Sequence, residues 1–235
     1  MFVHGAYVTG ALWDDVVARM SPGHRCIVPT WPFGAQVRPV GDVDLRVMAS
    51  AKRVVGLLEA LDLHDVTLVA NDTGGGIVLA ALGDSSLDFS RVGRLVFTNC
   101  DSFEHFPPRP FVPLVKLYRH SQRLGSAMLH GLATRPGQTL FASSVTKAGI
   151  DPARRAAIFG GFITSSAVRM EAARFTADLQ PCYTLTAVNA MQAWPTPVLM
   201  AWGNDDSMFP LAHATGSQAH FPTAACDPLR AVRPT

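Results

Sequence analysis

Apolar residues fall along this chain in two alternating patterns. Short β-branched and aliphatic runs at residues 2–3, 26–29, 66–70, 94–98 and 198–202 have the length and composition of strands. Between them, apolar positions recur at helical spacing. Leu12, Val16, Val17 and Met20 form one series, closed by Pro22-Gly23. Leu45, Met48, Val54, Leu57, Leu58 and Leu61 form another, a predicted amphipathic helix over residues 42–63 with Asp42 as its N-cap. A third helix opens at residues 74–76 and ends near Gly83. Strands alternating with helices predict an α/β fold with a mostly parallel sheet and βαβ crossovers. From Glu104 to about Ala193 the alternation stops. Phe106-Pro107-Pro108 and Pro110 mark the entry, residues 112–129 and 154–168 read as helices, and no run reads as a strand. This predicts a core built from residues 1–103 and 194–235, interrupted by a helical lid insertion over residues 104–193.

Composition narrows the class. Of 235 residues, 48% are hydrophobic and 16% charged, which excludes a disordered chain and leaves material for a sizeable core. Twenty Lys and Arg stand against eighteen Asp and Glu, with no block of either sign, so an electrostatic footprint for nucleic acid is missing. No apolar run approaches the ~20 residues of a membrane span. The first ten residues lack the basic and long apolar regions of a signal peptide. Cys26, Cys100, Cys182 and Cys226 lie far apart without CxxC spacing, so neither zinc nor a disulfide framework is expected. The expectation is a soluble cytoplasmic globular protein.

Candidate chemistry concentrates in residues 68–77, Leu-Val-Ala-Asn-Asp-Thr-Gly-Gly-Gly-Ile. A buried strand runs into a turn centred on Asp72, and a helix opens two residues later. Ala70, Gly74 and Gly75 leave room for a sharp turn, which lifts the central side chain clear of the sheet and sets it at the helix N-terminus. The orphan N–H groups and macrodipole there favour an ionised carboxylate. The same residues also fit an ordinary N-cap at a βα turn. A phosphate loop is disfavoured, because no Gly-x-x-x-x-Gly-Lys is present. Residues 71–76 do not supply the Gly-x-Gly-x-x-Gly of a dinucleotide fold either.

Two further features set this turn in context. His4-Gly5-Ala6 follows the first apolar run, and residues 197–206 make a strand that closes in Trp202-Gly203-Asn204-Asp205-Asp206. With the Asp72 turn and the lid between them, this order resembles the α/β-hydrolase superfamily. Within it, the match is to the aspartate-nucleophile branch of haloalkane dehalogenases and epoxide hydrolases. The resemblance implies an α/β-hydrolase fold and a cofactor-independent hydrolase for a small apolar organic substrate. Asp72 would be the nucleophile, opening a carbon–halogen or epoxide bond through an alkyl–enzyme ester. The backbone N–H groups of Thr73 and Ala6 would form the oxyanion hole. Asp206 would orient a catalytic histidine that activates water. Asp101, at the end of the preceding strand, is the alternative acid. No Gly-x-Ser-x-Gly occurs in the chain, which argues against a serine esterase.

The chain also departs from that pattern. Thr73 and Ala6 stand where dehalogenases commonly carry the Trp and Asn that grip halide. Tyr118 and Tyr183 are the candidates for the lid tyrosines of epoxide hydrolases. The resemblance makes residues 211–221 the helix after the acid and residues 224–229 the start of the last strand, beyond which the histidine normally lies. His220, followed by Phe221-Pro222, is similar to the family's His-Phe-Pro. Only thirteen residues separate it from Asp206, too few for a helix and a strand, so a helix-end position is expected for it. A second expectation follows from these departures: a truncated or degenerate hydrolase fold that binds a small apolar ligand without turnover. Two absent family strands would leave the edge of the 2–3 strand exposed for self-association. A nucleotide-binding reading of the 71–76 loop is the third.

Overall fold

Parallel pairing of short strands organises the chain. The computed structural model describes residues 1–146 and 149–229. Its five strands are β1 (Phe2–Val3), β2 (Val66–Asp72), β3 (Val92–Cys100), β4 (Val198–Gly203) and β5 (Ala224–Leu229). They form one sheet in the order β1-β2-β3-β4-β5, with every pair parallel. The helices are α1 (Asp14–Met20), α2 (Val47–Ala60), α3 (Thr73–Leu82), α4 (Val112–His120), α5 (Gln122–Ala133) and α6 (Arg135–Val145). Then come α7 (Pro152–Thr164), α8 (Ser166–Ala177), α9 (Pro181–Leu185), α10 (Val188–Gln192) and α11 (Leu211–Gln218). Among the described residues, no helix is long and apolar enough to cross a membrane.

The chain packs as two compact units. The first holds residues 1–5, 47–110 and 180–229, and so contains the whole sheet with α2, α3, α9, α10 and α11. All ten residues of α3 are buried, which is why its sequence is apolar on every side. α2 buries Val47, Ala51, Val54, Val55 and Leu58, an i, i+4, i+7, i+8, i+11 stripe. Thr184 on α9 donates to the Phe103 carbonyl at 2.6 Å, tying α9 to the segment after β3.

The second unit comprises residues 6–46 and 111–179, with α1 and α4 to α8. α8 organises its polar interior. The Glu171 carboxylate accepts the Val40 and Gly41 N–H groups, each at 2.8 Å, and the Gln36 amide at 2.6 Å. Tyr7, Tyr118, Leu129, Phe162 and Ala172 close the apolar core of this unit.

Several expectations need correction. Residues 26–29 are neither a strand nor fully buried. They fall in the second unit, whereas the sheet belongs to the first, and the Gly10 N–H donates to the Thr30 hydroxyl. α2 begins at Val47 rather than at Asp42, because Asp44 captures the Arg46 N–H and guanidinium in a local turn. The stretches 112–129 and 154–168 each break at a serine. Ser121 and Ser165 are extended and accept the Leu124 and Val168 N–H groups, so each starts a new helix as its N-cap. β1 does end the sheet, but Phe2 and Val3 are 3% and 0% exposed, so the expected exposed edge is not found. Among the described residues from 104 to 193 there are helices and no strand.

The tightest packing lies under α3. A Cβ on Gly74 would stand 2.6 Å from the Val3 carbonyl oxygen and 2.7 Å from that of His4, both backbone atoms that cannot rotate away. Gly74→Ala should therefore cost about 1–3 kcal/mol, read as a lowered urea midpoint at unchanged slope. Gly56, inside α2 with nothing within 4 Å of an added Cβ, provides the contrast. Gly56→Ala should raise stability by about 0.5–1 kcal/mol.

Candidate active site

β2 delivers Asp72 to the C-terminal edge of the sheet, between β1 and β3, and α3 starts at the next residue. The turn forces Asp72 to φ +53° and ψ −133°, a conformation that costs an L-residue roughly 1–3 kcal/mol. Its neighbours are small because nothing larger fits. A Cβ on Gly5 would lie 2.5 Å from the Asp72 Cβ, and one on Gly75 would collide with the Cys100 side chain. The half-buried Asp72 carboxylate uses Oδ1 to accept the Thr73 N–H and, at 2.7 Å, the Thr73 hydroxyl. The hydroxyl contact was not foreseen; sequence reasoning saw only the backbone of Thr73. Ala6 follows Gly5 in the chain and belongs to the second unit.

His4 lies beneath this turn, fully buried. Its Nδ1 is 2.8 Å from the Gly5 carbonyl oxygen, which can only accept, so Nδ1 carries the proton. Burial pushes its pKa down to about 4, against a smaller opposing pull from that hydrogen bond. His4 is thus a neutral packing residue at ordinary pH.

Asn99 and Cys100 end β3, and Asp101 follows them. Asn99, at φ +25°, accepts the Gly203 N–H at 2.8 Å and donates to Asp206 Oδ2 at 2.8 Å. Asp206 Oδ1 accepts the Met208 and Phe209 N–H groups, each at 2.8 Å. Asp206 is therefore held by three donors, and among the described residues none of them is an imidazole. Cys100 is buried. Asp101 is fully buried, and neither of its carboxyl oxygens has a hydrogen-bond partner. Its backbone N–H donates to the Asp72 carbonyl at 3.2 Å. Burial raises its pKa well above the carboxylate range, and the neighbouring Asp72 charge adds to that.

Three histidines, His105, His213 and His220, make ring contacts in the first unit. His220 follows the end of α11, where its ring packs against Phe103 at 4.9 Å and makes no hydrogen bond to Asp206. The structure does not bring His220 and Asp206 together, because residues 207–219 hold a turn and a helix that carry the ring onto Phe103. His213, on the first turn of α11, stacks on His105 with centroids 3.9 Å apart. Its Nδ1 is buried without a partner. Burial lowers its pKa, aided by His105 and Arg109 and opposed by Glu104 and Asp206. Of the two tyrosines, Tyr183 lies on α9 in the first unit. Tyr118 is in the core of the second, where burial pushes its pKa up to about 12.

The parallel sheet with its helices is a fold shared by many solved structures. Residues 1–231 match the model of the α/β hydrolase family. The chain belongs to that family. A haloalkane dehalogenase of Mesorhizobium japonicum is 33% identical over 75 residues, 32% of this chain and 24% of that protein. A cis-3-alkyl-4-alkyloxetan-2-one decarboxylase of Xanthomonas campestris is 26% identical over 244 aligned residues, 95% of this chain and 78% of that protein. Among solved structures, a haloalkane dehalogenase from Bradyrhizobium elkani superposes with a TM-score of 0.78 at 18% identity, covering 98% of this chain and 81% of the other. The α/β-hydrolase fold and the likeness to haloalkane dehalogenases expected from the motifs are both found. The chain spans about a quarter of the first relative and about four-fifths of the second.

Two buried groups give opposite pH signatures. Unfolded His4 takes up a proton below 6.5, whereas folded His4 resists until about 4. Stability should therefore fall by up to about 3 kcal/mol as pH drops through that window, and His4→Gln should flatten this slope in urea titrations. Asp101 acts the other way. Its unfolded form ionises above 3.8 while the folded form keeps its proton, so stability is lost as pH rises. Asp101→Asn should raise the melting temperature at pH 7.

Proposed function

We propose that this α/β hydrolase uses Asp72 as a carboxylate nucleophile at a saturated carbon, opening a carbon–halogen or epoxide bond through an alkyl–enzyme ester. The observation that carries this reading is the strained turn that sets Asp72 between β2 and α3 with Oδ1 held by both donors of Thr73. The two bonds to Oδ1 fix the orientation of the carboxylate, and positioning of this kind is a large part of what a displacement needs. The names of the dehalogenase relatives support the same chemistry. Within this proposal, the backbone N–H groups of Thr73 and Ala6 form the oxyanion hole, and Asp206 is the acid that faces the catalytic base. The helical insertion acts as a lid over a small apolar substrate, and the setting is cytoplasmic.

One observation favours a second outcome. Among the described residues, Asp206 is held by the Asn99 amide and the Met208 and Phe209 N–H groups rather than by an imidazole. A protein in which attack outruns ester hydrolysis would trap its substrate after one turnover. The substrate panel also widens, because the relative aligned over 95% of the chain is named for an oxetan-2-one, a strained oxygen ring.

Intact-protein mass spectrometry after exposure to haloalkanes, epoxides and oxetan-2-ones tests the proposal. One ligand mass should add to Asp72, and Asp72→Asn should abolish it. Turnover that survives Asp72→Asn would sink the nucleophile reading.

A further inference from the structure

Charge is distributed unevenly along the chain. Between Glu104 and Asp151 there is no acidic residue, whereas Arg109, Lys116, Arg119, Arg123, Arg135 and Lys147 all fall there. The remaining residues carry fourteen Lys and Arg against eighteen Asp and Glu. A chain of net charge +2 thus divides into a cationic segment and an acidic remainder. The cations are spaced rather than run together, and most of the segment folds into α4, α5 and α6 of the second unit. Arg119 is committed to the carbonyls of Ala177 and Leu179. Lys116, Arg123 and Arg135 are exposed, and the three helices hold no carboxylate to neutralise them.

The same helices turn aliphatic side chains outward. α5 buries Gly125, Leu129 and Ala133, and exposes Leu124 and Met128, which are 55% and 47% accessible and one turn apart. α6 packs on the end of α5, where the Gln138 amide donates to the Ala133 carbonyl at 2.7 Å. It opens with Arg135 and leaves Leu140 67% exposed. One exposed leucine is ordinary. Aliphatic residues at helical spacing beside cations without counter-charge are the two components of a helix face that lies on lipid. We propose that the α4–α6 surface docks on a bilayer carrying anionic headgroups. Leu124, Met128 and Leu140 enter the boundary between headgroups and acyl chains, and Lys116, Arg123 and Arg135 meet the headgroup charge. Nucleic acid is a poorer partner, because a phosphate-binding face is lined with cations and polar donors, and here leucine and methionine stand among them. A second copy of the chain is poorer too, since its surface acids are engaged locally. Asp15 pairs with Arg154, Asp44 with Arg46, Asp62 with Arg91 and Asp65 with Arg94. The docking is independent of the Asp72 chemistry, and its test needs no turnover.

Flotation of the full chain with vesicles tests this, using phosphatidylcholine alone and an equimolar mixture of phosphatidylcholine and phosphatidylserine. The parent should float with the mixed vesicles, stay behind with phosphatidylcholine and come off as salt is raised. Lys116→Gln, Arg123→Gln and Arg135→Gln combined should weaken partition on the order of 10²-fold. Leu124→Ser with Met128→Ser should weaken it about 10-fold. All five side chains are exposed, so urea midpoints should stay at the parent value. Leu140→Trp provides a gain, floating more strongly and showing a blue-shifted emission on mixed vesicles that the parent lacks. Equal partition into both vesicles, partition that survives the charge variant, or none at all overturns the proposal. A dimer that Leu124→Ser with Met128→Ser dissolves, or capture of an oligonucleotide, each without vesicle binding by the parent, overturns it in favour of another occupant.

Discussion

A side chain at positive φ on the tip of a strand–helix turn leaves almost no freedom to what surrounds it. Asp72 meets this condition, and the neighbourhood follows. Gly5 must lack a Cβ because the Asp72 side chain occupies that space, Gly74 because the carbonyls of Val3 and His4 do, and Gly75 because Cys100 does. The chain between Val3 and Gly5 and the start of α3 are thereby locked face to face. A conformation that costs roughly 1–3 kcal/mol persists only where its surroundings over-determine it. Here the wholly buried α3 and the interior position of β2 supply that determination.

Burial then sorts the ionisable groups. Asp72 and Asp101 are the same residue type, joined by a backbone hydrogen bond, yet one is half-buried with two donors on a single oxygen and the other is sealed with none. Sealing Asp101 in this way favours its protonated form. His4 is neutral for the same reason that Asp101 is: desolvation penalises whichever form carries charge. Asp72 stands at the N-terminus of α3, where a helix favours a negative group.

Much of this was legible in the sequence because it depends on local sterics. The glycine run after Asp72, the Val-rich run before it and the glycine after His4 are each short-range demands that leave a residue-type signature. Four strands of the sheet followed from short apolar runs and α3 from its glycine opening, whereas the strand at residues 224–229 followed only from the resemblance. What escaped depends on partners distant in sequence. Asn99 has no local mark distinguishing it from any polar residue at a strand end, yet it bridges Gly203 and Asp206, more than a hundred residues away. The stub at residues 26–29 has a strand's composition, but composition does not say whether a neighbouring strand is free to pair. Ser121 and Ser165 did carry a signal, since serine is a preferred N-cap. The apolar periodicity ran across them and hid it.

Asp206 shows why a matching motif and a matching role are different claims. Its Oδ1 closes the turn after β4 by taking two backbone N–H groups, and its Oδ2 takes the amide of Asn99 from the end of β3. These bonds pin the loops that leave two adjacent strands, whatever else the carboxylate does. Each carboxylate oxygen can accept more than one donor, so the Asn99 contact leaves room on Oδ2 for an imidazole without requiring one. A residue with this double attachment would disturb the sheet edge when truncated, and lost activity alone would not separate that from a catalytic defect. Asp72 is different in kind. It accepts the N–H and the hydroxyl of the adjacent Thr73, at a φ of +53° and at the N-terminus of a wholly buried helix.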